Sequence, residues 1–240
     1  MRKKIIIITP KPLLISTFIE ESIINKAIKN NIIKIEIIDL RKFGLGKSKQ
    51  IDDKPFGGLP GMILMAKPLS DAIECSFNLL PPNNKDVDII YPSPQGKIWK
   101  QNFAHRFSKR KSIIFICGHY KGIDERIFKK YPVREYSVGD FILTGGEIPA
   151  LIMIDSIIRL IPGTLNNLVS ANTDSHTDEL LDNPYYTQPR RIFGLDVPEV
   201  LLSGHHSKIE AWRLKKKIKA TKIKRPDIYK KYKKNLKMEH

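Results

Sequence analysis

The 240-residue chain is short of cysteine, of long apolar runs and of acid relative to base, and each shortage excludes something. Two cysteines, Cys75 and Cys117, cannot build the bridged framework of a small secreted domain, and neither has a Cys or His neighbour at zinc-finger spacing. Both read as small buried apolar residues. No apolar stretch nears the roughly 20 residues that span a bilayer, and Ile5–Ile8 is too short for a signal-peptide core. A cytoplasmic protein with no membrane partner is expected. The glycine-rich stretch Phe56–Met62 does not end in Gly-Lys-Ser/Thr, and it lacks the GxGxxG turn, so neither a phosphate loop nor a dinucleotide turn explains it.

Acid is scarce: 25 Asp and Glu stand against 42 Lys and Arg, for a net charge of +17. The excess gathers at the end, where Ser207–His240 holds fourteen basic and three acidic residues, or +11. A basic end of this kind predicts a polyanionic partner, nucleic acid first, with a solvated lysine-rich tail as the alternative. Hydrophobic residues at 41% and charged residues at 28% exclude wholesale disorder.

What is present centres on Glu135–Gly163. Tyr136–Leu143 is rich in β-branched and aromatic residues and reads as a strand, ending at Thr144-Gly145-Gly146, where paired glycines allow a tight turn. Pro149 suits the first turn of a helix, and Ala150–Ile161 is apolar nearly all round until Pro162-Gly163 stops it. Its polar exceptions are Asp155, Ser156 and Arg159. A guanidinium has no neutral form, so Arg159 needs a partner: Asp155 at i,i+4, or an active site or subunit interface.

Elsewhere, strands are expected at Ile5–Ile8, Ile33–Ile37, Val87–Tyr91 and Ser112–Cys117. Helices are expected at Thr17–Lys29, at Leu69–Leu80 and along Trp99, Phe103 and Phe107. That alternation predicts a layered α/β domain. Three successive strands open into loops bearing glycine or proline, after Tyr91, Cys117 and Leu143, and ligands of open α/β sheets sit at such strand ends. These loops offer backbone groups and apolar side chains suited to an adenine ring. Structural turns without a ligand are the alternative.

After Gly163 the composition turns polar, and Asp174 and His176 read by default as turn and surface residues. Asp182–Arg191 mixes two tyrosines with two arginines, the composition of either a nucleotide clamp or a structured turn. Ser207 with Glu210 spells a capping box, Ile209 and Trp212 anchor the helix it starts, and Pro226 opens a last helix. His205-His206 lacks a third metal ligand.

The motifs FGGLPGM (Phe56–Met62), SPQGK (Ser93–Lys97), CGHYKGIDER (Cys117–Arg126), VGDFILTGGEIPA (Val138–Ala150), RLIPG (Arg159–Gly163), LLDNPYYTQPR and VPEVLLSGHH follow one another along most of the chain. In that order they resemble the bacterial tRNA (guanine-N1)-methyltransferases of the SPOUT class. The resemblance implies an α/β fold, a SPOUT-type parallel sheet with a deep trefoil knot, and a small helical C-terminal domain. It divides the chain into a cofactor domain over 1–163, a linker over 164–178 and a basic tRNA-binding domain over 179–240. It further implies a homodimer, tRNA as substrate, methylation of guanine N1 at position 37, and S-adenosylmethionine as donor, with Mg2+ as the activating ion to test.

By the same resemblance the cofactor-binding residues are Tyr91, Ser93, Gln95, Gly118, Tyr120, Val138, Gly139, Phe141, Leu143, Gly145, Gly146 and Pro149, and the catalytic pair is Asp174 and Arg159. Guanine N1 carries a proton, so attack on a sulfonium methyl needs a base, for which Asp174 stands, and a cation to hold charge on O6, for which Arg159 stands. Three positions depart from the family pattern: Lys121 where Glu is usual, His119 where Arg is usual, and Leu59 where Gly is usual. Lys121 leaves open a non-catalytic RNA-binding protein that retains the fold.

Overall fold

The structure, a computed structural model, describes residues 2–58, 60–81, 87–165, 175 and 179–236. Leu59, Asp174 and His176 lie outside the described residues. The chain forms two compact units, residues 1–168 and 169–240.

The first unit runs β1 (Lys3–Thr9), α1 (Pro12–Glu20), α2 (Ile23–Lys29), β2 (Ile33–Asp39), the short strands β3 (Asp52–Asp53) and β4 (Ile63–Leu64), then α3 (Ala66–Asn78) and β5 (Val87–Ile98). It continues through α4 (Gln101–Ser108), β6 (Ser112–Ile116), α5 (Arg126–Lys130), β7 (Val133–Ser137) and α6 (Glu147–Ile158). Five strands make one sheet in the order β2-β1-β6-β5-β7, and every neighbouring pair is parallel. The layered α/β class expected from the alternation and the parallel sheet implied by the resemblance are therefore both observed.

Side chains alternate across a strand, and the central strands use both faces. Ile5, Ile7, Ile113 and Phe115 enter a core shared with α1, α2, α4 and α6, whereas Ile6, Ile8, Ile114 and Ile116 enter a second core under α3 and α5. Buried on both sides, these strands read as unbroken isoleucine runs rather than alternating ones. In the first core Trp99 stacks on Phe107 at 5.7 Å and meets Tyr136 edge-on at 5.2 Å, which fixes α4 against β7.

Four boundaries differ from the sequence expectation. Thr17–Lys29 is not one helix: the chain breaks at Glu21-Ser22, and the Ser22 hydroxyl accepts the Ile24 N–H at 3.2 Å to cap α2. β5 does not stop at Tyr91 but continues to Ile98, with Ser93–Gly96 bulged out between two pairings to Tyr136. Prolines 92 and 94 have no N–H for the ladder, so pairing pauses across them.

The third difference lies between Tyr136 and Leu143, where β7 ends at Ser137. There the Ser137 hydroxyl accepts the Gly139 N–H at 3.1 Å and donates to the Gly139 carbonyl at 2.9 Å, and Gly139 takes a φ of +153° that other residues rarely adopt. Fourth, α6 begins at Glu147 and ends at Ile158, which puts Arg159 at its C-cap, half-buried, rather than inside it.

In the second unit a two-pair hairpin joins β8 (Arg191–Ile192) to β9 (Leu195–Asp196), followed by helices Glu199–Leu202, His206–Lys224 and Pro226–Leu236. Trp212 meets Tyr186 at 6.4 Å, and buried Thr221 accepts the Leu181 N–H at 2.8 Å. The expected capping box is not formed. His205 occupies the N-cap and Ser207 lies inside the helix, so Glu210 turns to Arg213 at 2.6 Å instead.

Candidate active site

Adjacent strands β6, β5 and β7 deliver their loops to one end of the sheet, where a cleft of about 300 Å3 forms. The structure brings together there Tyr91, Ser93, Gly118, Tyr120, Val138, Gly139, Phe141, Leu143, Gly145, Gly146 and Pro149, with His119 and Lys121. Gln95 stands apart: it is exposed on the bulge, and its N–H donates to the Ser93 hydroxyl at 3.2 Å. Arg159 does not line the cleft, and Asp174 lies outside the described residues.

Close backbone approach makes the cleft. The Gly146 N–H donates to the Gly118 carbonyl at 2.7 Å, and His119 bridges Gly145. A Cβ on Gly146 would lie 2.6 Å from the Gly118 nitrogen, and one on Gly118 would lie 2.6 Å from the Tyr91 ring. The paired glycines of the expected tight turn are thus needed for proximity, with Gly146 at an ordinary φ of −82°.

The Gly118–Asp124 loop is tied on its other side to the glycine-rich stretch. The Lys121 N–H donates to the Met62 carbonyl at 2.9 Å, and Leu64 exchanges bonds with Gly122 and Asp124 at 3.0 and 3.1 Å. Gly61 and Met62 therefore lie against the loop that borders the cleft. The Lys121 stem lies over Gly61, where a Cβ would sit 3.0 Å from the lysine Cγ. Lys121 thus packs its aliphatic stem on Gly61 while also lining the cleft.

Glu147 is the residue that sequence reasoning missed. Its carboxylate is buried at the start of α6, accepts the Thr9 hydroxyl at 2.6 Å, and meets His119 Nε2 at 2.8 and 2.9 Å. The triad joins β1, the β6 loop and α6 behind the cleft. A carboxylate right after paired glycines and before an apolar helix was the available signal. Burial, and then Glu147, push the Cys117 thiol up, and burial, then Glu135, push the Tyr91 hydroxyl up to about 12.

The residues present could hold a ligand with a flat ring such as adenine. Backbone groups of Gly118–Gly122 and Val138–Gly146 can read a ring edge, Val138, Phe141, Leu143 and Pro149 supply apolar walls, and Tyr91 offers a neutral hydroxyl. Among the described residues, no group of three or more His, Cys, Asp or Glu side chains could hold a metal ion, and no helix is long and apolar enough to cross a membrane. A second exposed surface joins α1 and α6 through Leu13, Leu14, Phe18, Ile148 and Ile152.

The sequence model of the family described as tRNA (Guanine-1)-methyltransferase TrmD matches residues 1–231. A tRNA (guanine-N(1)-)-methyltransferase of Clostridioides difficile is 47% identical over 225 residues, which cover 94% of this chain and 96% of that protein. One from Buchnera aphidicola is 46% identical over 226 residues, covering 94% of each chain, and one from Ruminiclostridium cellulolyticum is 44% identical over 225, covering 94% and 95%. With a match of this extent, the chain belongs to the tRNA (guanine-1)-methyltransferase family.

Proposed function

We propose that the protein methylates N1 of the guanosine at position 37 of tRNA, beside the anticodon, with S-adenosylmethionine as donor. It acts in the cytoplasm as a homodimer with a trefoil-knotted α/β domain and a basic C-terminal domain that grips tRNA. The observation that carries this reading is the cleft itself, where three strand-end loops converge at glycine contacts too close for any side chain. Gly118, Tyr120, Val138, Gly145 and Gly146 would hold the adenosine, and Tyr91, Ser93, Gly139, Phe141, Leu143 and Pro149 would enclose the rest, with Gln95 above on the bulge.

The bound donor supplies an electrophilic methyl group on sulfur. The chain does the remainder. Asp174 takes the N1 proton, so that the ring lone pair is free in the plane of attack, and a positioned base of this kind typically gives about 10²- to 10⁴-fold in rate. Arg159 holds the negative charge that gathers on O6 as the proton leaves. Two features support a dimer: the exposed apolar face of α1 and α6, and the exposed Phe141–Leu143 segment beside the cleft. That Arg159, at the end of α6, does not line the cleft of its own chain supports its serving the partner's site.

The test is incubation with methyl-labelled donor and unmodified tRNA, followed by digestion. Labelled N1-methylguanosine is expected, and none from tRNA with adenosine at position 37. Label absent from every nucleoside would refute the reading.

A further inference from the structure

The tip of the β8–β9 hairpin is built against local preference. A two-residue hairpin loop of this twist needs positive φ at both central positions and favours Asn-Gly. Here Phe193 has a φ of 56° and Gly194 one of 75°. A bulky side chain in the left-handed region is a steric outlier. No described residue covers it: Phe193 is 91% exposed, and Ile192 and Leu195 beside it are 49% and 72% exposed. Conformations of this kind persist where they serve a site.

The surroundings select the occupant. Exposed Arg190 and Arg191 stand at the base of the hairpin, and the chain beyond it carries +11 over Ser207–His240. A partner must therefore be anionic and also offer flat apolar faces, which is the chemistry of unpaired nucleotides. The tyrosines of the same stretch are already engaged. The Tyr185 hydroxyl donates to the Asp182 carboxylate, and the Tyr186 ring meets Trp212. Their rings stay partly open, Tyr185 at 74% and Tyr186 at 48% exposed, but Phe193, just beyond this stretch, is the barest at 91%.

We propose that Phe193 stacks on an unpaired base of the tRNA, with Arg190 and Arg191 on the adjoining phosphates. The proposal rests on tRNA being the substrate. Phe193→Asn tests it without threatening the fold, because Asn suits the left-handed position: its melting temperature should equal or exceed that of the unaltered protein. Its tRNA affinity should fall roughly five- to a hundredfold, as loss of a base-aromatic stack does. A ring releases no counterions, so the slope of affinity against salt should stay unchanged. Arg190→Ala and Arg191→Ala should each flatten that slope by about 0.7 to 0.9, and Phe193→Trp should retain affinity.

Equal tRNA affinity for Phe193→Asn and the unaltered protein overturns the proposal while the methylation reading stands. The same equality with a changed dimer dissociation constant overturns it in favour of a protein contact. An unaltered protein that binds no tRNA removes the substrate reading and this proposal with it.

Discussion

Tyr91 shows how a single group reports on the cleft. Its hydroxyl faces Gly118 and Gly122 within the site, and burial with Glu135 nearby pushes it up to about 12. In the unfolded chain it loses its proton near pH 10. The fold therefore holds the neutral phenol: its contribution to stability is complete below about pH 10 and is lost as the pH rises toward about 12. Thermal melts across this window should show the unaltered protein losing stability relative to Tyr91→Phe, and parallel curves would contradict the assignment. Residues of this kind were partly legible. The glycine-bearing loops after Tyr91, Cys117 and Leu143 stood out from their pattern and took their cofactor role from the resemblance, whereas the Thr9, His119 and Glu147 triad joins three segments far apart in sequence, and no local pattern announces such a meeting.

Elements were more legible where both faces of a strand are buried. The isoleucine run of β1 declares itself in this way, whereas β2 is legible because its isoleucines alternate with Lys34 and Glu36, and α4 because its aromatics recur at helical spacing. The misreading falls at Val138–Leu143, whose β-branched and aromatic composition mimics a strand. Those side chains are apolar because they wall a cleft and stand on an exposed surface, with Ile142 80% exposed, and no ladder is involved. The loop that follows depends on backbone contact. Gly146→Ala puts a methyl group 2.6 Å from the Gly118 nitrogen and 2.9 Å from the Cys117 Cα, with no flexible side chain to yield. Overpacking of this sort costs about 1–3 kcal/mol, so the variant should melt lower and lose S-adenosylhomocysteine binding by calorimetry. Native affinity together with native stability would show that the close approach is unnecessary.

At the scale of the whole molecule, the sequence disclosed a basic end and a family, but not which surfaces meet. Of the exposed apolar face of Leu13, Phe18, Ile148 and Ile152, only Phe18 and Ile152 lie within the helices expected from the sequence, where apolar periodicity does not separate a core face from an exposed one. Arg159 reads differently once placed. At the cap of α6 and outside the cleft of its own protomer, it belongs to an account in which each site takes its guanidinium and its carboxylate from opposite subunits. That division of labour is the central claim, and inactive variants can be combined to test it. Asp174→Ala and Arg159→Ala homodimers should each bind tRNA yet fail to methylate it. Co-expressed, half of the dimers are mixed and each mixed dimer holds one intact site, so about a quarter of full activity should return. Mixed dimers that form and bind tRNA but stay as inactive as either parent would contradict the account.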